Sequence, residues 1–232
     1  MSDSDHTRQN VQIVEDLTTS LADRIANGEF PLGTWLRQAK VAQDYDVSRT
    51  PASLALSRLE AMGILERVPN RGFRVRYPSP REIMEVFEVR AVLEGHAAYL
   101  AATRISEAQL QQLSEQVAGF RQAVARIRDG ADPEAVSASW QQAHNTFHQM
   151  VFAAAGNSQL HEAADALYRK LPRKTSWRVL RGDPRALTQH ANEHEYITTA
   201  IEMRDGAKAR ELTIAHIESA RELIIAHLST PD

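Results

Sequence analysis

The sequence predicts a mainly α protein in two parts. The first is an N-terminal winged helix-turn-helix of three helices and a β-hairpin wing, and the second is a C-terminal all-α antiparallel helical bundle. Three observations carry this. The first 77 residues read as helix, helix, tight turn, helix, hairpin; Pro78-Ser79-Pro80 then makes a stiff break; beyond it six apolar-periodic segments follow with short connections. The expected domains are therefore 1–78 and 79–232.

Val11, Val14, Leu17, Leu21 and Ile25 recur every three or four residues, which is one face of an amphipathic helix ending near Gly28. A loop over Phe30-Pro31-Leu32-Gly33 leads to a short helix around Gln38–Tyr45. Ser48 can cap the third helix, and Pro51 lies in its first turn, where a missing N–H costs little. That helix runs to about Met62 and stops at Gly63. Ile64–Val68 and Phe73–Tyr77 read as strands joined by a turn at Pro69-Asn70-Arg71-Gly72. In the second part helices are expected at about 81–104, 106–129, 133–155, 158–180 (broken or kinked at Pro172), 184–204 and 207–228.

Composition narrows the classes of function. A 43% share of hydrophobic residues excludes disorder, and no apolar run approaches the ~20 residues that span a bilayer. The polar N-terminus lacks a secretory layout, and the absence of cysteine excludes disulfides and thiolate metal sites. A cytoplasmic protein with no membrane partner is expected. The net charge of −3 conceals a pattern: residues 35–77 carry eight Lys/Arg against four Asp/Glu, whereas 79–232 carry 17 against 20. A basic segment beside an acidic remainder suits a DNA-binding module attached to something else.

Within that segment Val47-Ser48-Arg49-Thr50-Pro51 opens the helix expected to read DNA. A helix N-terminus offers free N–H groups to phosphate; Ser48 and Thr50 add hydroxyls, and Arg49 can fork onto phosphate or guanine. Arg71 and Gly72 at the wing tip and Arg37 before the second helix can share that face. The plain alternative is a cap, a helix starter and a solvated arginine face.

Eight of the nine histidines lie beyond residue 79. His144 and His148 are four apart on one predicted helix; His194 and His216 sit on later helices beside apolar positions. Three helices can thus point four imidazoles into one cavity, a donor set suited to Zn²⁺, Ni²⁺, Co²⁺ or Mn²⁺ rather than Ca²⁺ or Mg²⁺. Hydrogen-bonded core histidines are the alternative.

Residues 11–76 resemble the DNA-binding domain of the GntR family of bacterial regulators. The resemblance lies in Ile25-Ala26-Asn27-Gly28-Glu29 with Pro31 and Gly33, in Val47-Ser48-Arg49-Thr50-Pro51, in Leu59 to Leu65, and in Arg71-Gly72-Phe73. It implies DNA contacts by Arg37, Ser48, Arg49, Thr50 and Gly72. Where the family usually carries an arginine this chain has Ser53, and where it carries a glutamate, Leu54; this implies weaker binding or a different operator.

Residues 81–228 resemble the FCD domain, the helical effector domain of the FadR-type subgroup. The matching stretches are Phe87 to Glu94, Phe147-His148 with Gly156-Asn157, Glu193-His194-Glu195 and Ala215-His216-Ile217. The resemblance implies a divalent metal held by His148, His194 and His216, with His144 standing where the family has an aspartate. Without that anionic ligand zinc or nickel is favoured, with manganese next. Arg90 matches an arginine that implies a clamp on an effector carboxylate, the alternative being a surface or interdomain salt bridge, and Asn157 reads as a helix cap. The expected protein is a homodimeric repressor of double-stranded operator DNA, controlled by a small organic acid, and not an enzyme. A metal-dependent hydrolase with Glu193 or Glu195 as base, or a DNA-binding protein whose second domain senses nothing, are the alternatives.

Overall fold

The computed structural model describes residues 3–170, 177 and 179–228. The described chain divides into two compact units, residues 3–78 with 168–170, and residues 79–167 with 177 and 179–228.

The first unit holds α1 (Asp3–Ala26), β1 (Trp35–Leu36), α2 (Gln38–Asp44), α3 (Arg49–Ala61), β2 (Leu65–Val68) and β3 (Gly72–Val75). Leu17, Leu21 and Ile25 of α1 meet Val41 of α2, Leu56 and Leu59 of α3, and Leu65 and Phe73 of the sheet in one apolar core. The sheet order is β1-β3-β2, antiparallel throughout, with Arg67 opposite Phe73 and Leu36 opposite Phe73 on the other edge. The hairpin strands are shorter than the sequence suggests: pairing runs from Leu65 opposite Val75 to Val68 opposite Gly72, so Ile64, Arg76 and Tyr77 lie beyond the ladder, and Asn70 and Gly72 make the turn at positive φ of 62° and 101°.

Helix α3 starts at Ser48, whose extended backbone forms the N-cap without a side-chain cap bond. It stops as the sequence suggests. Gly63 adopts φ +72°, its N–H donates to the Glu60 carbonyl, and the Ile64 N–H donates to that of Leu59. Both Ile64 and Leu59 are buried, so the carbonyls are satisfied and an apolar contact locks the end.

The second unit is a helical bundle of α4 (Pro80–Arg104), α5 (Glu107–Arg128), α6 (Pro133–Ala155), α7 (Ser158–Tyr168), α8 (Pro184–Glu202) and α9 (Gly206–Leu228). Each start has a local cause. Ser79 with Glu82 and Ser106 with Gln109 form reciprocal capping boxes, and Asp132 and Asp183 accept from the first-turn N–H groups of α6 and α8. Asn157 Oδ1 accepts from the Leu160 N–H at the start of α7, the capping role read from the sequence. The expected helix over 158–180 ends earlier, at Tyr168, and Pro172 lies outside the described residues.

Helix α4 is the buried strut of this unit. Gly95 lets α9 approach closely, since a Cβ there would come within 2.8 Å of Ile214, and Ala97, Ala98, Ala101 and Ala102 are buried along the same helix. Phe120, Trp140 and Phe147 pack edge to face beside this strut, with Phe120 4.9 Å from Trp140. Their rings form the wall against which the histidines stand.

Candidate functional site

In the first unit the residues expected at DNA come from three places. Ser48, Arg49 and Thr50 open α3 and are exposed; Arg37 is the exposed N-cap of α2; Arg71 lies in the wing turn. Among the described residues Arg37, Arg49 and Arg71 form no ion pair. Their neighbours do: Arg67 pairs with Glu60, and Arg74 with Glu66. Electrostatics thus separates arginines that brace the wing from arginines left with charge to offer. The Ser48 hydroxyl accepts no bond from the first turn of α3, so the N–H groups there stay open to an anion. Ser53 is different: its Oγ accepts from Gln38 Nε2 at 2.9 Å, tying α2 to α3. Gly72 needs glycine for its own backbone, since φ is +101°.

In the second unit, His144 and His148 from α6, His194 from α8 and His216 from α9 present ligand atoms all within 4.8 Å of one another. His148, His194 and His216 are buried, and His144 is partly exposed. Phe120 and Phe147 flank His194, with ring centroids 4.3 and 4.6 Å away.

Three of these imidazoles are pinned on the same side. The His148 Nδ1 lies 2.9 Å from Glu94 Oε2, the His194 Nδ1 donates to the His190 carbonyl at 2.7 Å, and the His216 Nδ1 lies 2.8 Å from Glu193 Oε2. A carbonyl only accepts, so His194 carries its proton on Nδ1 and its Nε2 is a bare lone pair. That Nε2 is buried with no hydrogen-bond partner among the described residues. A buried unsatisfied nitrogen costs on the order of 1–3 kcal/mol. Support of one ring nitrogen by carboxylate or carbonyl, with the other converging on a shared point, is how metal-bound histidines are held.

Burial keeps three of the four rings neutral. His144, His194 and His216 are held well below the usual imidazole range, chiefly by desolvation and then by repulsion from one another's charged forms. Neutral imidazole is the form that ligates. The residues present fit a divalent ion of the imidazole-preferring class.

The sequence reading missed three members. Glu94 was quoted there without a role, yet it supports His148 and also binds Arg90 Nε at 2.9 Å, both side chains being buried. Arg90 also lies over the Phe87 ring, 4.6 Å from its centroid. Glu193 supports His216, and burial raises its pKa. His190, one turn before His194, was not considered; the i, i+4 spacing that singled out His144 and His148 would have found it. Glu195, the other glutamate weighed as a base, is bound by Arg121.

The comparisons with known proteins agree with this anatomy. Residues 13–75 match the family model for bacterial regulatory proteins of the gntR family, and residues 85–219 match that of the FCD domain. The chain is 30% identical over 193 residues to a probable D-xylose utilization operon transcriptional repressor of Paenarthrobacter nicotinovorans, covering 83% of this chain and 80% of that one. It is 25% identical over 199 residues to the transcriptional repressor GlaR of Escherichia coli K12, covering 85% and 89%. Among solved structures, E. coli McbR/YncC superposes with a TM-score of 0.75 at 18% identity over 94% of this chain and 99% of that one. A putative GntR regulator from Rhodococcus sp. RHA1 gives 0.70 at 20% identity over 92% and 97%.

Proposed function

The chain belongs to the GntR family of bacterial regulatory proteins, with an FCD domain after its winged helix, and on that premise we propose a metal-containing, acid-responsive repressor. It is a DNA-binding transcription regulator and not an enzyme. In this reading two chains form a homodimer on a pseudo-palindromic operator, with Arg49, Ser48 and Thr50 of each α3 at the major groove and Arg71 of the wing beside it. Arg37 reaches the backbone, while Ser53 positions α3 through Gln38.

The observation that carries the sensor reading is the cluster of imidazoles whose Nδ1 atoms are fixed by Glu94, the His190 carbonyl and Glu193. His144, His148, His194 and His216 would hold one divalent ion, zinc or nickel before manganese. When bound, that ion supplies a Lewis-acidic anchor for one carboxylate oxygen of a small organic acid. Everything else is done by the chain. Glu94 and Glu193 fix the ring orientations and place two carboxylates behind a ligand set that has none of its own. Phe120, Phe147 and Trp140 exclude water from the inner wall. Arg90 acts through Glu94, and meets an effector carboxylate directly once that pair opens. Acid binding then biases the DNA-binding unit, and the coupling is reciprocal.

Elemental analysis of untagged protein, paired with His148→Ala/His216→Ala, tests the site; small carboxylates are then screened for release of a fluorescent operator. Metal in the wild type, depleted in the variant, together with acid-dependent release, is the expected result. Wild-type protein that stays metal-free after reconstitution with zinc and nickel overturns the sensor reading.

A further inference from the structure

His190 is a fifth imidazole in the cluster and belongs to no set named so far. It is buried, and neither ring nitrogen has a hydrogen-bond partner among the described residues. A neutral imidazole without a partner in a core leaves both a donor and an acceptor unsatisfied, so this placement asks for a reason. Its ring centroid lies 4.5 Å from that of His216 and 4.9 Å from that of His194. Ligand atoms of His190, Glu193 and His216 lie within 4.8 Å of one another, a second set that shares only His216 with the first.

Glu193 gives this set what the four-histidine set lacks, an anionic oxygen. It also gives an access path. Glu193 lines a surface cleft of about 690 Å³ on α8, together with Arg185, Gln189, Asn192 and Tyr196. Its side chain is one-fifth exposed while that of His216 is 1% exposed, so the carboxylate spans from solvent to the buried rings. Two imidazoles and a carboxylate with room for water make a recognised three-ligand arrangement for a divalent ion.

We propose that His190, Glu193 and His216 form a second divalent-cation position beside the four-histidine set, reached from the cleft on α8. This rests on the metal reading of the first set. The two positions compete for His216. Neutral imidazole carries one proton: binding through Nδ1 moves that proton to Nε2, and binding through Nε2 returns it to Nδ1, facing Glu193. One chain therefore holds one tightly bound ion, and the second position shows itself when the first is disabled.

The test titrates Co²⁺ into full-length metal-free protein, reading visible absorption for coordination and native mass spectrometry for stoichiometry. Wild type and His190→Ala are each expected to bind one ion. His148→Ala/His194→Ala removes two ligands of the first set and none of the second; it is expected to keep one Co²⁺, bound at least tenfold more tightly than in the same variant carrying His190→Ala or Glu193→Gln as well. A folded double variant that binds no Co²⁺, or binds it equally with and without His190, overturns the proposal. If the double variant does not fold, His144→Ala replaces it, with zinc X-ray absorption as readout. A new oxygen ligand, lost on adding Glu193→Gln, supports the proposal, and unchanged all-nitrogen ligation overturns it. Wild-type protein that binds no ion at all refutes the first set instead, which keeps the two failures apart.

Discussion

Acidifying the metal-free protein should melt it through its histidines, and His190 allows the size to be worked out. Burial, with repulsion from the charged form of His148, pushes His190 down to about 3 from the ordinary 6.5. The folded chain therefore keeps it neutral across the range where the unfolded chain takes up a proton. Stability is fully present above pH 6.5 and is lost progressively as the pH falls from there towards the folded value. Between pH 7.5 and 5.0 the unfolded chain gains most of one proton at this position. At 1.36 kcal/mol per pH unit, that is about 2 kcal/mol of lost stability. For a chain of this size it corresponds to a fall in Tm of roughly 4–8 °C from His190 alone. His144, His194 and His216 add losses of the same sign. The assay is differential scanning fluorimetry with chelator at several pH values, on wild type and His190→Leu. The variant's own Tm is immaterial, because the quantity read is the difference in pH dependence. Equal slopes for the two proteins between pH 7.5 and 5.0 would refute the reasoning, since His190 would then titrate alike in both states.

Other consequences are open to direct measurement. Arg49→Ala should weaken operator binding at least tenfold by fluorescence anisotropy and leave the Tm unchanged, in line with about 1–3 kcal/mol for a good base contact; Arg67→Ala, whose charge is spent on Glu60, should weaken it far less. Glu94→Gln should reduce zinc affinity 10–100-fold by competition with a chromophoric chelator. It should also cost about 3 kcal/mol of stability in denaturant unfolding, because Arg90 stays buried without its carboxylate. Gly95→Val should destabilise the bundle by at least about 1–3 kcal/mol, since the added carbons meet Ile214 in the α4–α9 contact.

Helices were legible in the sequence where their signals are local. Apolar spacing at Leu17, Leu21 and Ile25, and the stops at Gly63 and Gly156, each act within one or two turns. Strand β1 was not legible: two residues give no period, and Trp35–Leu36 becomes a strand only because Phe73 and Arg74 arrive beside it. The four histidines could be named because one pair shares a helix face and the others match a family pattern. Their supports could not. Glu94 reaches His148 from another helix, and the His190 carbonyl that orients His194 is a backbone atom present at every position. Arg90 showed the same limit, since a sequence does not reveal that a charge is already matched inside the core.

The partial exposure of His144 carries a kinetic consequence. Of the four imidazoles in the first set it belongs to the least buried residue, and on the proposed reading it stands on the side from which an acid would arrive. An aspartate there, as in related domains, would set a negative charge across the path of an incoming anion. A neutral ring removes that repulsion. With the ion's double charge then undiminished by any ligand, this substitution would register in the association rate, faster and more dependent on ionic strength, before it registered in how tightly the acid is finally held.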